Sequence, residues 1–427
     1  MRPHATVAWR VHDGVPVVEI ANNWVCASFE ETYRPPLVAD RIAHVLRAIQ
    51  PDVVHIHSLF NLSFDLPAMA HARGAKVVAT LHDYTLVCPS GGQRIHRAEQ
   101  FVCHTIDTDR CARCFRESVF YTHMSLGRLA AATNQPGALM SGARTIRKWF
   151  PSLSGGVARA ARNLRLMSVT PADVDARLAA ARRVFGDVDV FVAPSRSVAE
   201  EFVRLGVDRS RILVSDYGFP DGDGGHPAGT EVTGVGRRSG VGDGGRLRIG
   251  FVGTLVWHKG VHVLIDAVRG LPADSYELVV FGDPDVFPDY SAELRAQAAG
   301  LPVRFEGAVP RPRIADAYAD IDVLVVPSLW LENSPLVIHE AFMARVPVVA
   351  ARIGGIADLV EHGRSGLLYD PTSSAELRGI LAELIANPSR LDELSAAAPP
   401  VKTIEQDARE WDAIYSDLGS GIRDLAR

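Results

Sequence analysis

The sequence predicts an α/β protein built from two doubly wound parallel-sheet domains, and three of its features carry that expectation. Its 427 residues, 47% hydrophobic, suffice for two ordinary cores and are too many for one compact domain. Short apolar runs alternate with amphipathic stretches, at Asp52–His57, Lys76–His82, Val188–Ala193, Arg246–Val252, Glu277–Phe281, Val323–Val326 and Val346–Ala350. That is the pattern of buried parallel strands joined by crossover helices. Between two such runs, residues 221–245 hold ten glycines and no apolar periodicity, so they cannot bury a core and read as a linker.

The expected division follows from these features. Residues 1–220 form an N-terminal domain, 221–245 the linker and 246–400 a C-terminal domain. Residues 401–427 form a C-terminal helix that returns to the first domain, with Trp411 and Tyr415 four apart on one face.

A formal charge of −5 supplies no general attraction to nucleic acid, and no nucleic-acid partner is expected. Met1–Gly14 carries Arg2, His4, Arg10 and His12 and lacks the apolar core of a secretory signal; no run reaches the ~18 apolar residues of a membrane span. The expected location is the cytoplasm. Residues 118–172 contain no acidic residue and seven positive ones, Arg128, Arg144, Arg147, Lys148, Arg159, Arg162 and Arg165, interleaved with Trp149, Phe150, Leu164, Leu166 and Met167. Two readings stand: peripheral contact with an anionic membrane or a phosphate-bearing lipid, or a solvated helix face.

The chemistry concentrates in the second half. Phe251 to Gly260 reads as a strand ending at Gly253, a loop through Thr254 and a lysine, Lys259, just before a helix; strand ends beside helix starts are where α/β sheets bind phosphate. Val325 to Ala341 reads as a strand followed by a helix with Ser334 as N-cap and Pro335 as first residue, Glu332 lying ahead of the tip and Glu340 inside. Gly354-Gly355 then follows the strand ending at Ala350, and paired glycines allow a close backbone approach.

Together these pieces resemble the retaining GT-B glycosyltransferases of the family-4 type. Lys259, the glutamates Glu332 and Glu340 with seven residues between, and Gly354-Gly355 match that family's motifs, and the resemblance runs from Asp52 to about Tyr415. It implies two Rossmann-like domains facing a cleft. It also implies hexosyl transfer from a nucleoside-diphosphate sugar to a sugar, lipid-linked or small-molecule acceptor, as in glycan or glycolipid biosynthesis. Lys259 and the helix tip, Asn333, Ser334, Pro335 and Leu336, would hold the diphosphate, with Gly253 and Thr254 beside it. Glu332 would hold the sugar and Glu340 the ribose, while Phe281, Gly282 and Val309 line the base. Many relatives carry arginine where this chain has Thr254, which implies weaker phosphate binding. Catalysis is expected to need no metal, since Lys259 and helix amides oppose the leaving group's charge.

In the first half, His82, with Asp83 beside it, ends a strand; the resemblance places His82 on the donor sugar. Of His55 and His57, one is expected to face the core. Cys88, Cys103, Cys111 and Cys114 fall in one loop-rich insertion, the last two as Cys-Ala-Arg-Cys, and either wrap a structural zinc, with His104 able to replace one ligand, or remain four reduced thiols. Asp107-Thr108-Asp109, Asp187-Val188-Asp189 and Asp283-Pro284-Asp285 are read as ordinary acidic strings rather than metal ligands. Val15–Ala21 looks like the family's third strand, so an opening strand, glycine turn and helix are expected to precede this sequence in the active protein. Two other classes fit the same motifs: a GT-B isomerase or phosphorylase, and a non-catalytic GT-B scaffold.

Overall fold

The computed structural model describes residues 3–96, 99–131, 168–220 and 245–420. The expected linker, apart from Gly245, and most of the basic stretch, including Arg144, Arg147, Lys148, Arg159, Arg162 and Arg165, lie outside the described residues. The chain forms two compact units. One comprises Met1–Ala193, Glu201–Leu213 and Tyr415–Arg427; the other comprises Pro194–Glu200 and Val214–Ile414.

The first unit opens with a hairpin. Strands β1 (Val7–His12) and β2 (Val15–Ile20) pair antiparallel, His12 opposite Val15, across the two-residue turn Asp13-Gly14. Both turn residues have positive φ, 49° and 82°, as a two-residue hairpin turn requires and as Asp-Gly supplies. This overturns the reading of Val15–Ala21 as a strand of the parallel sheet.

That sheet consists of β3 (Val53–Ile56), β4 (Lys76–Thr80), β7 (Val190–Ala193) and β8 (Ile212–Val214), in the order β3-β4-β7-β8. A small antiparallel pair, β5 (Ile95–His96) and β6 (Phe101–Val102), lies between in sequence. Helix Pro36–Ile49 buries Val38, Ile42 and Leu46, four residues apart on one stripe, and ends at Gln50 in the left-handed conformation. Helix Pro171–Asp187 starts from a capping box in which Thr170 and Asp173 satisfy each other's backbone amides, and it buries Val174, Leu178, Ala181 and Phe185.

The second unit holds a six-stranded sheet whose neighbouring strands all pair in parallel. Its strands are β9 (Leu247–Val252), β10 (Tyr276–Phe281), β11 (Val303–Gly307), β12 (Val323–Val326), β13 (Val348–Ala351) and β14 (Gly366–Tyr369), in the order β11-β10-β9-β12-β13-β14. Counted within the unit this is 3-2-1-4-5-6, the dinucleotide-fold order, with its reversal between β9 and β12. Alternate side chains fill both faces. Val323 and Val325 pack with Leu247, Ile249, Leu264 and Leu377, whereas Leu324 and Val326 pack with Ile338, Phe342 and Val348. Burial on two faces is why β12 is apolar at every position. The α/β class and the four strands expected here are present, Val323–Val326 with its expected bounds and the others with ends shifted by at most two residues; β11 and β14 are additional.

Candidate active site

The carboxyl ends of β9 and β12 meet at the sheet's reversal, where a doubly wound fold places its ligand. After β9 the chain passes Gly253 and Thr254, makes a short 3-10 turn at Trp257–Lys259 and enters helix Val261–Arg269 through Gly260. Gly260 has φ +74°, and a Cβ there would lie 1.8 Å from the carbonyl oxygen of Pro327, so only glycine lets the two loops touch. Leu329 N donates to His258 O at 2.8 Å, stitching the loops together.

This contact brings Lys259 to Glu332. Nζ of Lys259 donates to Oε1 of Glu332 at 2.6 Å, and the Ser328 hydroxyl donates to the same oxygen at 2.7 Å. The Glu332 side chain is only 6% exposed, whereas that of Lys259 is 29% exposed. The ammonium also lies 5.7 Å from the centre of the Trp330 ring. A nearly buried carboxylate thus has one partly exposed cation and one hydroxyl as partners.

The loop after β13 packs on the same residues. Gly355 N donates to Glu332 O at 2.7 Å, and Cβ atoms on Gly354 and Gly355 would fall 2.5 Å from Glu332 O and 1.7 Å from Asn333 O. Both glycines are therefore required for backbone to lie against backbone.

Helix Leu336–Met343 starts one residue later than expected, with Pro335 at the cap position and no side chain capping it. Ser334 is not the cap. Its hydroxyl donates to Oδ1 of Asp216 at 2.6 Å and lies 2.9 Å from Nε2 of His339. Glu340 sits one turn inside the helix, its Oε2 2.7 Å from the hydroxyl of Tyr318, whose ionisation is pushed well above the ordinary phenol range by burial and by the Glu340 charge. Leu336 is exposed, and Asn333 is buried beside Glu332.

On the other side of β9 three strand ends lie in register. Gly253 N donates to Phe281 O at 3.0 Å and Gly282 N to Gly307 O at 2.8 Å. A Cβ on Gly282 would lie 2.4 Å from Gly253 O. Phe281 is buried, Thr254 is exposed, and Val309 packs at the edge of the core. The structure thus gathers the second-half candidates around the ends of β9, β10 and β12. Asp216, Ser328, Tyr318 and His339 were missed. Ser328 alone carried a signal, its place two residues after a strand.

In the first unit, β4 ends at Thr80, so His82 lies in the turn beyond it; Thr85 N donates to Asp83 Oδ1 at 2.7 Å there. His57, exposed, places Nδ1 2.9 Å from Nε2 of His82. His55, in β3, is more buried than His57, with Nε2 2.7 Å from Thr80 Oγ1 and Nδ1 2.7 Å from the Tyr415 hydroxyl. Burial, then the neighbouring His57 and His82, lowers the His55 pKa to about 4. The folded chain therefore keeps His55 neutral while the unfolded chain takes up a proton below about 6.5. Stability is expected to be full above pH 6.5 and to decline as pH falls from there towards 4. After discounting for the ring's partial exposure the drop is about 1 kcal/mol between pH 7 and 5. Urea unfolding at both pH values checks this, and His55→Gln should flatten the dependence.

Cys88, Cys103, Cys111 and Cys114 line one small cavity with Val87, Ile95 and Ile106. None of the four forms a disulfide, Cys114 Sγ donates to Ile95 O at 3.8 Å, and among the described residues no three His, Cys, Asp or Glu side chains converge as a metal site. Burial raises Cys103 and pushes Cys111 up to about 12, which keeps both protonated. The acidic strings have local partners: Asp107 caps helix Thr108–Glu117, Asp189 accepts from His71 and Val77 N, and Asp283 accepts from Asp285 N. No described helix is long and apolar enough to cross a membrane.

Comparison with known proteins agrees with this architecture. The family model described as "Glycosyl transferases group 1" matches residues 237–400, and that described as "Glycosyltransferase Family 4" matches residues 5–114. A D-inositol 3-phosphate glycosyltransferase of Rhodococcus opacus is 31% identical over 256 residues, 56% of this chain and 55% of the relative. A GDP-mannose-dependent alpha-mannosyltransferase of Corynebacterium glutamicum is 34% identical over 185 residues, 43% of this chain and 41% of the relative. The chain thus spans about half the length of the curated relatives it matches. Among solved structures, Anabaena Alr3699/HepE in complex with UDP superposes with a TM-score of 0.58 at 19% identity, covering 89% of this chain and 82% of that one. Sucrose-phosphate synthase from Thermosynechococcus elongatus gives 0.56 at 16%, covering 92% and 79%. At such identities the likeness shows the fold.

Proposed function

The chain belongs to the GT-B glycosyltransferases of the family-4 type, and from that premise we propose that it moves a sugar from a nucleoside-diphosphate donor to an acceptor hydroxyl with retention of anomeric configuration. The observation that carries this reading is the Lys259–Glu332 pair beside a helix start that no side chain caps. A cation and free amides at one spot suit a diphosphate, and a carboxylate beside them suits the hydroxyls of the attached sugar.

In this reading the diphosphate takes Lys259 and the amides of the helix tip, the sugar takes Glu332, and the ribose hydroxyls take Glu340. Gly253, Thr254, Asn333 and Pro335 line the diphosphate with their backbone, and Phe281, Gly282 and Val309 flank the base. His82 is proposed, on the resemblance alone, as the sugar-facing residue of the first unit. The acceptor oxygen bonds to the anomeric carbon as the bond from that carbon to the phosphate oxygen breaks. The electron pair leaves with the diphosphate, whose oxygen takes the acceptor proton. Lys259 and the tip amides oppose the growing charge, so no step is assigned to a metal.

The names of the relatives support a nucleotide-sugar donor and a polyol or sugar acceptor. Incubating the protein with UDP- and GDP-sugars, an inositol phosphate or sugar acceptor and EDTA tests the reading. Nucleoside diphosphate should appear only with acceptor present and at a rate EDTA leaves unchanged. Release without any acceptor alcohol, or only with free phosphate, would favour an isomerase or phosphorylase, and binding without turnover a scaffold.

A further inference from the structure

The Ser334 hydroxyl carries one hydrogen, and its 2.6 Å contact with Oδ1 of Asp216 commits that hydrogen to the carboxylate. At 2.9 Å from His339 Nε2 the same oxygen must therefore accept, which places a hydrogen on Nε2. That nitrogen is also 3.2 Å from the second carboxylate oxygen of Asp216. Asp216 further accepts from Tyr217 N at 2.8 Å, and these donors hold its pKa below the ordinary carboxylate value in spite of burial. The segment bearing Asp216 is itself fixed: Phe219 N donates to Lys402 O at 2.9 Å and Ile404 N to Phe219 O at 2.8 Å.

A serine directly before a proline that opens a helix ordinarily turns its hydroxyl onto the amides two and three residues ahead, here Leu336 and Val337. In this protein it does not, and the helix has no side-chain cap. The first amide of the turn to close is Ile338 N, onto Pro335 O at 3.0 Å. We propose that Asp216, with His339, is a positioning residue of the donor site: it holds the Ser334 hydroxyl away from the helix tip, leaving the amides of Leu336 and Val337 to the donor's diphosphate. The inference rests on the reading of that tip as a diphosphate site, and it gives a role to a side chain 118 residues away in sequence.

The test is a double-mutant cycle read by nucleoside-diphosphate affinity, using UDP and GDP, on the full chain. Asp216→Ala also removes a negative charge near the ligand, so the informative comparison is the effect of Ser334→Ala within each background. With Asp216 present, Ser334→Ala should change affinity less than about twofold. With Asp216→Ala, the freed hydroxyl competes for the amides, and deleting it should raise affinity about fivefold, the ~1 kcal/mol of a serine cap converted at about 1.4 kcal/mol per tenfold. Equal effects of Ser334→Ala in both backgrounds, including none in either, would overturn the proposal.

A second arm needs only Ser334→Ala and ligand-free protein. Amide exchange at Leu336 and Val337 should match the wild type, and faster exchange in the variant would show that the hydroxyl caps the helix after all. Absence of nucleoside-diphosphate binding by the wild type would count against the donor-site reading itself, while the exchange result still decides where the hydroxyl points.

Discussion

Lys259→Ala lowers kcat/KM for the nucleotide-sugar donor by about 10²- to 10³-fold, the usual cost of removing one donor aimed at developing charge. The loss falls on kcat as well as on binding, because the diphosphate is more negative once the glycosidic bond has broken. The substitution also strands Glu332, whose nearly buried carboxylate then keeps the Ser328 hydroxyl as its remaining side-chain partner of the pair. Since Lys259 is partly exposed, the stability loss should be about 2 kcal/mol, below the range for a fully buried pair. Adding Glu332→Gln to Lys259→Ala removes the stranded charge, so stability should return while the rate does not. Urea unfolding and steady-state kinetics on both variants separate the two effects.

Glu332→Gln alone is expected to lower kcat/KM by about 10- to 100-fold, the weight of a charged hydrogen bond to a sugar hydroxyl. Free nucleoside diphosphate should bind at least as well as to the wild type. In the ligand-free protein the Lys259 ammonium is committed to Glu332 at 2.6 Å, and the ligand must draw it away or share it; the amide of glutamine competes less for it. Opposite movements of turnover and product affinity are the signature of this arrangement. A parallel loss of both would instead mean that Glu332 only shapes the loop. Titration calorimetry with UDP and GDP beside the kinetics checks it.

The meeting of Lys259 and Glu332, 73 residues apart, was legible because both follow apolar runs that a doubly wound order sets side by side. The glycine pair after β13 was legible for the same reason. Less visible was β11, whose Val303-Arg304-Phe305-Glu306 alternates because it is an edge strand. Arg304 pairs there with Glu306 and Asp320 at the surface. The other edge strand, β14, is four residues long and begins with glycine, so it too lacks a long apolar run.

The N-terminal hairpin was announced by Asp13-Gly14, but the likeness of Val15–Ala21 to the family's third strand pointed to the parallel sheet instead. Ser334 shows a different limit. Local propensity makes it a cap, and only a distant carboxylate, Asp216, takes its hydroxyl elsewhere. For the four cysteines, spacing left a structural zinc and four reduced thiols as alternatives, and in the structure all four line one cavity. Spacing carries no information on where each sulfur points.

The most direct test is a structure of the protein with UDP or GDP bound. The account predicts diphosphate oxygens within about 2.7–3.2 Å of Lys259 Nζ and of the amides of Leu336 and Val337. A diphosphate seated elsewhere, with the ammonium still on Glu332 and those amides turned to other partners, would contradict it.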